Sequence, residues 1–308
     1  MKNVVITGGA GFVGVNLAAH LAAHGGYSMT VIDNESLGDR RHLEPFGVRF
    51  ICADICDWAA LSDALVDQHA VVHLAADTRV MDSIDNPALN FESNVVGSFQ
   101  LLQACREFSV PRLIAASTGG AILGEAPAPV HEEMVARPLS PYGASKLAME
   151  GYMSAFGGAY GLKGCALRFS NIYGERSFHK GSVVAHFYKQ LLAGNDLVVY
   201  GDGSQARDFL YIGDLVETIR RAIDSDVSGV FQLGSGVPTT VNELLDVIRG
   251  VTGRKDLPVK YADFRSGEIH TTWCNIDKAR TELGFDPATT LEAGMAATWD
   301  WFNQHWSE

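Results

Sequence analysis

Cysteines are few in this chain, and they are poorly placed for any shared duty. The five of them, Cys52, Cys56, Cys105, Cys165 and Cys274, are odd in number, and they form no CxxC pair and no His/Cys grouping at zinc spacing. That argues against a disulfide scaffold and a structural metal site, and favours free thiols in a reducing cytoplasm. Positive charge is also scarce. With 24 Lys and Arg against 36 Asp and Glu, the formal charge is −12, which speaks against a broad nucleic-acid or anionic-membrane surface, since both need clustered cations. A small anion, held by a few arginines or helix N-termini, stays possible. No apolar run reaches about 18 residues, and the N-terminus passes straight into a strand pattern, so neither a membrane span nor a signal peptide is expected. Repeats, low-complexity tracts and flexible linkers are missing as well. A hydrophobic fraction of 47% with 19% charge fits an ordinary globular protein, either one large α/β unit or a core with a smaller appendage.

What is present begins with "KNVVITGGAGFVGVNLAAHLAAHGG". Asn3 to Thr7 is an apolar, β-branched run of strand length. Gly8, Gly11 and Gly14 follow, and Phe12 to His24 shows helix-period apolar residues that end at a glycine pair. Glycines in a strand–turn–helix unit let the backbone approach a pyrophosphate, whose charge then meets the positive end of the helix. The next strand, "SMTVIDN", ends in Asp33. An acid there accepts hydrogen bonds from ribose hydroxyls and repels a 2′-phosphate, which favours NAD over NADP.

Three more apolar strands follow in order, "VRFICADI", "AVVHLAA" and "RLIAAST", with helical stretches near Trp58–Val66 and Pro87–Phe108 between them. Such alternation predicts a doubly wound parallel sheet of Rossmann type, with its ligand at the carboxyl ends of the strands. Those ends carry Asp54-Ile55, Ala75-Ala76 and Ser117-Thr118. Further on, "SPYGASKLAMEGY" sets Tyr142 and Lys146 four residues apart, on one face of a helix. A lysine held over a tyrosine stabilises the phenolate and draws its pKa from about 10 toward neutrality. The spacing is equally compatible with two solvated neighbours, so the rest of the chain has to decide.

The order and spacing of "TGGAGFVG", "VIDN", "ADI", "HLAA", "NVVGSFQLLQA", "STGGAILG", "SPYGASK", "LRFSNIYG", "VVYGDGSQARDFLYIGDL" and "RSGEIHTTWCNIDKARTELGF" closely resemble the extended short-chain dehydrogenase/reductase superfamily. The branch they resemble is the NAD-dependent nucleotide-sugar epimerases and dehydratases, and within it the UDP-glucose (UDP-galactose) 4-epimerases. The match runs nearly end to end. It implies that Tyr142 and Lys146 are the catalytic pair, with Lys146 also holding the nicotinamide ribose. Thr118 would bond the sugar hydroxyl or the developing ketone, with Ser117 as the alternative. NAD would be held by Gly8, Gly11, Phe12, Val13 and Gly14, by Asp33 and Asn34, and by Asp54 and Ile55. Leu74, Ala75 and Ala76 would border it, Asn94 would steady its site, and Ser170 would approach the nicotinamide. The resemblance assigns Arg207 and Arg265 to the nucleotide diphosphate and Asn171 to the diphosphate and sugar. It puts Ser182, Val183, Val199 and Tyr200 beside the uracil and ribose, and Thr272 where room for a 2-acetamido group is set.

The dehydratases of this branch follow the threonine with an acidic pair, and the decarboxylases carry a glutamate nearby. Here Gly119, Gly120 and Ala121 follow Thr118, so a general acid for elimination is not evident and oxidation with re-reduction remains. The expected activity is NAD-dependent 4-epimerisation of a UDP-sugar through a 4-keto intermediate. A UDP-glucuronate epimerase or decarboxylase, a dehydratase or a reductase on the same scaffold stays open, as does a non-catalytic NAD-binding regulatory protein. Leu123 replaces the usual tyrosine and would repack the wall behind the sugar. "GERSFHKGS" would bring Arg176, His179 and Lys180 near the sugar end, either as a solvated basic loop or as contacts to a charged or amidated sugar. Residues 1–170 are expected to bind NAD and 171–308 mainly to form a smaller C-terminal α/β substrate lobe, with a return crossing near 205–225. Helices around Pro87–Phe108 and Tyr142–Tyr160 would, by the resemblance, pair in a homodimer, although their alanine- and leucine-rich faces could equally be buried within one subunit. No metal, nucleic acid or membrane is expected as a partner.

Overall fold

A computed structural model describes residues 1–264 and 270–306. Strands β1 (Lys2–Thr7), β2 (Tyr27–Asp33), β3 (Arg49–Cys52), β4 (Ala70–His73), β5 (Arg112–Thr118) and β6 (Lys163–Phe169) alternate with helices α1 (Phe12–His24), α2 (Trp58–Ala64), α3 (Val80–Asp85), α4 (Pro87–Asn90), α5 (Gly97–Glu107) and α6 (Pro141–Tyr160). The chain continues through β7 (Asn171–Tyr173), α7 (Val183–Leu192), β8 (Leu197–Tyr200), β9 (Ala206–Tyr211), α8 (Ile212–Asp224), β10 (Gly229–Leu233), β11 (Pro238–Thr240), α9 (Val241–Thr252), β12 (Val259–Ala262), β13 (Thr271–Thr272), α10 (Asp277–Leu283) and α11 (Leu291–His305).

The main sheet has seven parallel strands in the order β10-β6-β5-β4-β1-β2-β3. Helices cover both faces, so its central strands read as continuous apolar runs instead of alternating ones. Val4 and Ile6 of β1 face a cluster with Leu17 and Leu21 of α1 and Leu215 and Ile219 of α8. Val5 points the other way, into Leu61, Leu101, Leu102, Met149 and Met153. β1 has β2 on one side and β4 on the other. Strand order therefore reverses there, and the crevice beyond Thr7 and His73 is the ligand position of a doubly wound sheet.

After β6 the chain builds a second unit. β9 pairs with β7, β11 and β13, β8 pairs with β12, and α7, α9 and α11 close a separate cluster around Tyr188, Leu244 and Phe302. Between them α8 returns to pack beside α1, and β10 joins the main sheet.

One element departs from expectation. The stretch foreseen as a single helix from Pro87 to Phe108 contains a π turn, Phe91–Val96, between α4 and α5. The Gly97 amide donates to the Glu92 carbonyl, five residues back, and the Ser98 hydroxyl donates to the Asn94 carbonyl. Hydrophobic periodicity does not register one added residue per turn.

Candidate active site

The glycine turn is shaped by close approach. Gly8 has φ +68°, and a Cβ there would lie 2.5 Å from the Ala75 amide nitrogen. A Cβ on Gly14 would meet Gly9 Cα at 2.4 Å, so α1 lies directly on the turn. Gly11 caps α1 without a side-chain bond, and the first amides of the helix keep their donors for an anion. Phe12 is buried and Val13 partly so. Beside the turn, buried Asp33 accepts from the Ala10 amide at 2.9 Å and the Glu35 amide at 2.8 Å. Burial raises its pKa, against the pull of those two bonds. Asn34 donates to Asp54 at 2.8 Å, Asp54 also accepts from the Cys56 amide, and Ile55 packs under Gly97. Leu74 bonds the Thr7 carbonyl, and Ala75 and Ala76 complete the edge. A Gly8 cradle that a Cβ would fill, uncapped helix amides and a carboxylate at ribose position suit NAD's pyrophosphate and adenosine.

At the neighbouring strand ends, Ser140 caps α6 by accepting from the Gly143 amide, and Pro141 occupies the first turn. Tyr142 thus starts the helix beside the end of β5. Burial pushes its phenol up to about 12, the Thr118 hydroxyl within hydrogen-bonding reach draws it down, and Asp77 adds to the rise. Lys146 is buried one turn on, and its ammonium donates to the Ala116 carbonyl at 3.0 Å. Burial lowers its pKa to about 8, and Glu150 opposes this. The expectation that Lys146 draws the phenol toward neutrality is not met among the protein's own groups. Desolvation dominates the phenol, and the lysine is engaged by a carbonyl. The Ser117 hydroxyl donates to Glu150 at 2.6 Å, and Arg168 grips the same carboxylate at 2.9 and 2.8 Å. Ser117 is thereby committed to a buried ion pair, whereas Thr118 stands at the phenol.

A second network fixes the floor. His73 bridges Thr7 at 2.8 Å and Ser98 at 3.0 Å. Burial first, and the Lys146 charge second, hold this imidazole neutral, with its pKa lowered to about 3. Asn94, in the π turn, accepts from the Asp77 amide at 2.8 Å and donates to the Asp77 carbonyl and to Ser145. Ser145 donates to the Tyr142 carbonyl at 2.8 Å. The sequence reading passed over His73, Asp77, Ser145, Glu150 and Arg168. Glu150 had a signal, since it follows Lys146 by one further helical turn.

The second unit contributes the far side. Asn171 donates to the Asp208 carbonyl, and the Ser170 hydroxyl is buried without a partner. Ser182 caps α7, Val183 begins it, Val199 is buried, and Tyr200 is partly exposed. Arg207 reaches the carbonyls of Ala206 and His270 at 2.9 and 3.0 Å. Arg265 lies outside the described residues. Thr272 pairs with Arg207 in register, and its hydroxyl is the nearest group to a Cβ built on Gly120, which brings it to the Thr118 end. Leu123 is buried with Ile122 and Val130 in the core, inside the wall. In the basic loop, Arg176 donates to Asn16 of α1 and covers Phe46, and Lys180 covers Phe12. These side chains meet α1 because Asn16 and Phe12 lie on the helix face turned toward the loop. Among the described residues, no group of three or more His, Cys, Asp or Glu side chains could hold a metal ion, and no helix is long and apolar enough to cross a membrane.

Comparison with known proteins places this geometry among relatives. The model of the NAD dependent epimerase/dehydratase family matches residues 4–234. A UDP-glucose 4-epimerase of Mycolicibacterium smegmatis is 34% identical over 308 residues, covering 97% of each chain. The crystal structure of a UDP-glucose 4-epimerase from Thermotoga maritima with UDP-glucose superposes with a TM-score of 0.94 at 34% identity, covering 99% of this chain and 100% of that one. A UDP-N-acetylglucosamine 4-epimerase from Methanobrevibacter ruminantium, in complex with UDP-N-acetylmuramic acid, superposes with a TM-score of 0.93 at 33% identity, covering 98% of each.

Proposed function

The chain belongs to the NAD-dependent epimerase/dehydratase family, and from that premise we infer that it inverts carbon 4 of a UDP-sugar. The observation that carries this reading is the apposition of Tyr142 and Thr118 at the end of β5, followed by two glycines in place of acids. Bound NAD supplies the hydride acceptor and donor at carbon 4. The protein's own groups do the rest. Thr118 holds the 4-oxygen against the Tyr142 phenol. Tyr142 takes the hydroxyl proton and later returns it. Lys146, ammonium-charged, steadies the phenolate and the nicotinamide ribose once those groups replace the Ala116 carbonyl as its partners. The ketone then presents its other face before the proton comes back. Arg207 and Arg265 grip the diphosphate, Asn171 the diphosphate and sugar, and Ser182, Val183, Val199 and Tyr200 flank the uridine. Thr272, beside Gly120, is small enough to admit a 2-acetamido group.

Residues 1–170 form the NAD-binding part and 171–308 mainly the substrate lobe, with the return crossing supplied by α8 and β10. The homodimer forms through α3, the π turn and α6, which expose Met81, Ile84, Phe91 and Tyr152. Five free thiols fit a cytoplasmic enzyme.

The test is proton NMR of carbon-4 inversion after incubating the purified protein, without added NAD, with UDP-glucose, UDP-N-acetylglucosamine and UDP-glucuronate separately. Inversion in one tube is expected. Tyr142→Phe should slow it by about 10²–10⁴-fold while NAD stays bound, and an unchanged rate would refute the mechanism.

A further inference from the structure

The loop between β7 and α7 sets a cation where physics disfavours one. Lys180 extends its ammonium to 5.4 Å from the centre of the Phe12 ring, at the first residue of α1. That is the positive end of a 13-residue helix whose cap makes no side-chain bond, and a cation there is repelled by the helix dipole. The side chain is partly buried, burial lowers its pKa, and no acid opposes the shift. The adjacent His179 has its pKa lowered by burial first and then by the charges of Lys180, His42 and Lys189.

The loop is nonetheless built to keep the lysine there. Arg176 donates to Asn16 of α1 at 3.1 Å, and Asn16 donates back to the Glu175 carbonyl. From the other side, Lys189 of α7 donates to the carbonyls of Phe178 and Lys180 at 2.8 and 2.9 Å. The Ser177 hydroxyl bonds the Gly174 carbonyl, and the Lys180 amide bonds the Ser177 carbonyl. A loop clasped to both units thus holds an ammonium against the first residue of a helix whose cap makes no side-chain bond, and an anion at that helix end is attracted by both.

We propose that Lys180 binds the pyrophosphate of NAD, and that the clasped loop 174–182 straps the cofactor between itself and the N-terminus of α1. The loop thereby serves cofactor retention, not sugar recognition. This assignment rests on the reading that NAD's pyrophosphate lies at the glycine turn.

The experiment compares wild type with Lys180→Met, Lys180→Gln and Lys180→Arg. NAD-loaded protein is diluted into NAD-free buffer at low and high salt, and released NAD is followed by chromatography. Binding of UDP is measured separately by calorimetry, and thermal unfolding of NAD-stripped protein verifies each fold. Lys180→Met and Lys180→Gln should release NAD about 10- to 100-fold faster, Lys180→Arg should stay near wild type, and UDP affinity should be unchanged. The wild-type advantage should shrink at high salt. Release at the wild-type rate from folded Lys180→Met or Lys180→Gln overturns the proposal. So does a loss that falls on UDP binding instead, which would move the lysine to the substrate diphosphate. Failure of wild type to bind NAD at all would overturn the reading of the glycine turn itself.

Discussion

Lys146 is subject to opposed demands. It has to be charged to steady a phenolate and a ribose, yet burial lowers its pKa to about 8. Glu150 raises it again, and Arg168 holds Glu150 with two short bonds in a pair that is almost wholly enclosed. Glu150→Gln therefore carries two expected effects. The alkaline limb of kcat, where Lys146 loses its proton, should move to lower pH, because the charge that supported the ammonium has gone. Stability should fall by about 3–5 kcal/mol, since Arg168 is left charged and unpaired. For Lys146 the folded pKa lies below its ordinary 10.5, so its contribution to stability is complete above about 10.5 and is lost as pH falls through about 8. In the variant that window should open at lower pH. A pH profile of kcat and urea unfolding at several pH values check both effects, and an unmoved limb would leave Glu150 a packing role only.

At the scale of elements, the strand–turn–helix at the N-terminus positions the cofactor site through backbone contact. Gly14 touches Gly9 so closely that any side chain has to lift α1. Gly14→Ala should weaken NAD binding by about tenfold or more and cost about 1–3 kcal/mol, as overpacking does. Gly250, on the exposed side of α9 with nothing near its Cβ position, should respond in the opposite sense, with Ala adding about 0.5–1 kcal/mol. NAD titration and thermal unfolding of the two variants distinguish a glycine kept for contact from one merely tolerated. The helix bounds at Phe12 and His24 were legible, because glycines bracket a periodic apolar run. The π turn was not. Beside the local bond of Ser98 to the Asn94 carbonyl, it depends on Asn94 spanning Asp77 and Ser145, contacts between segments that no local window contains.

For the whole molecule, α3, the π turn and α6 pack against one another and each exposes a large apolar side chain. Met81 is 67% exposed, Phe91 58% and Tyr152 44%, and burying them against a second copy removes a large apolar area from water. Phe91→Glu is expected to convert a dimer into a monomer in sedimentation velocity while leaving NAD bound, because the exposed Phe91 side chain points to solvent. A wild-type monomer would remove the dimer proposal.

The sequence by itself determined the local chemistry: the glycine turn, the acid at the end of β2, the apolar strands, and Tyr142 and Lys146 on one helical turn. Those features depend on backbone geometry and side-chain period, which short stretches carry. Tertiary structure decided what the groups are and whom they meet. It engaged the Ser117 hydroxyl with Glu150 and brought Thr118 to the phenol. It set Lys146 near 8 and Tyr142 near 12, because desolvation depends on everything packed around a group. It also set Lys180 at the start of α1, on a loop tied by Arg176 to Asn16, far away in the chain, and by Lys189 to the start of the second unit.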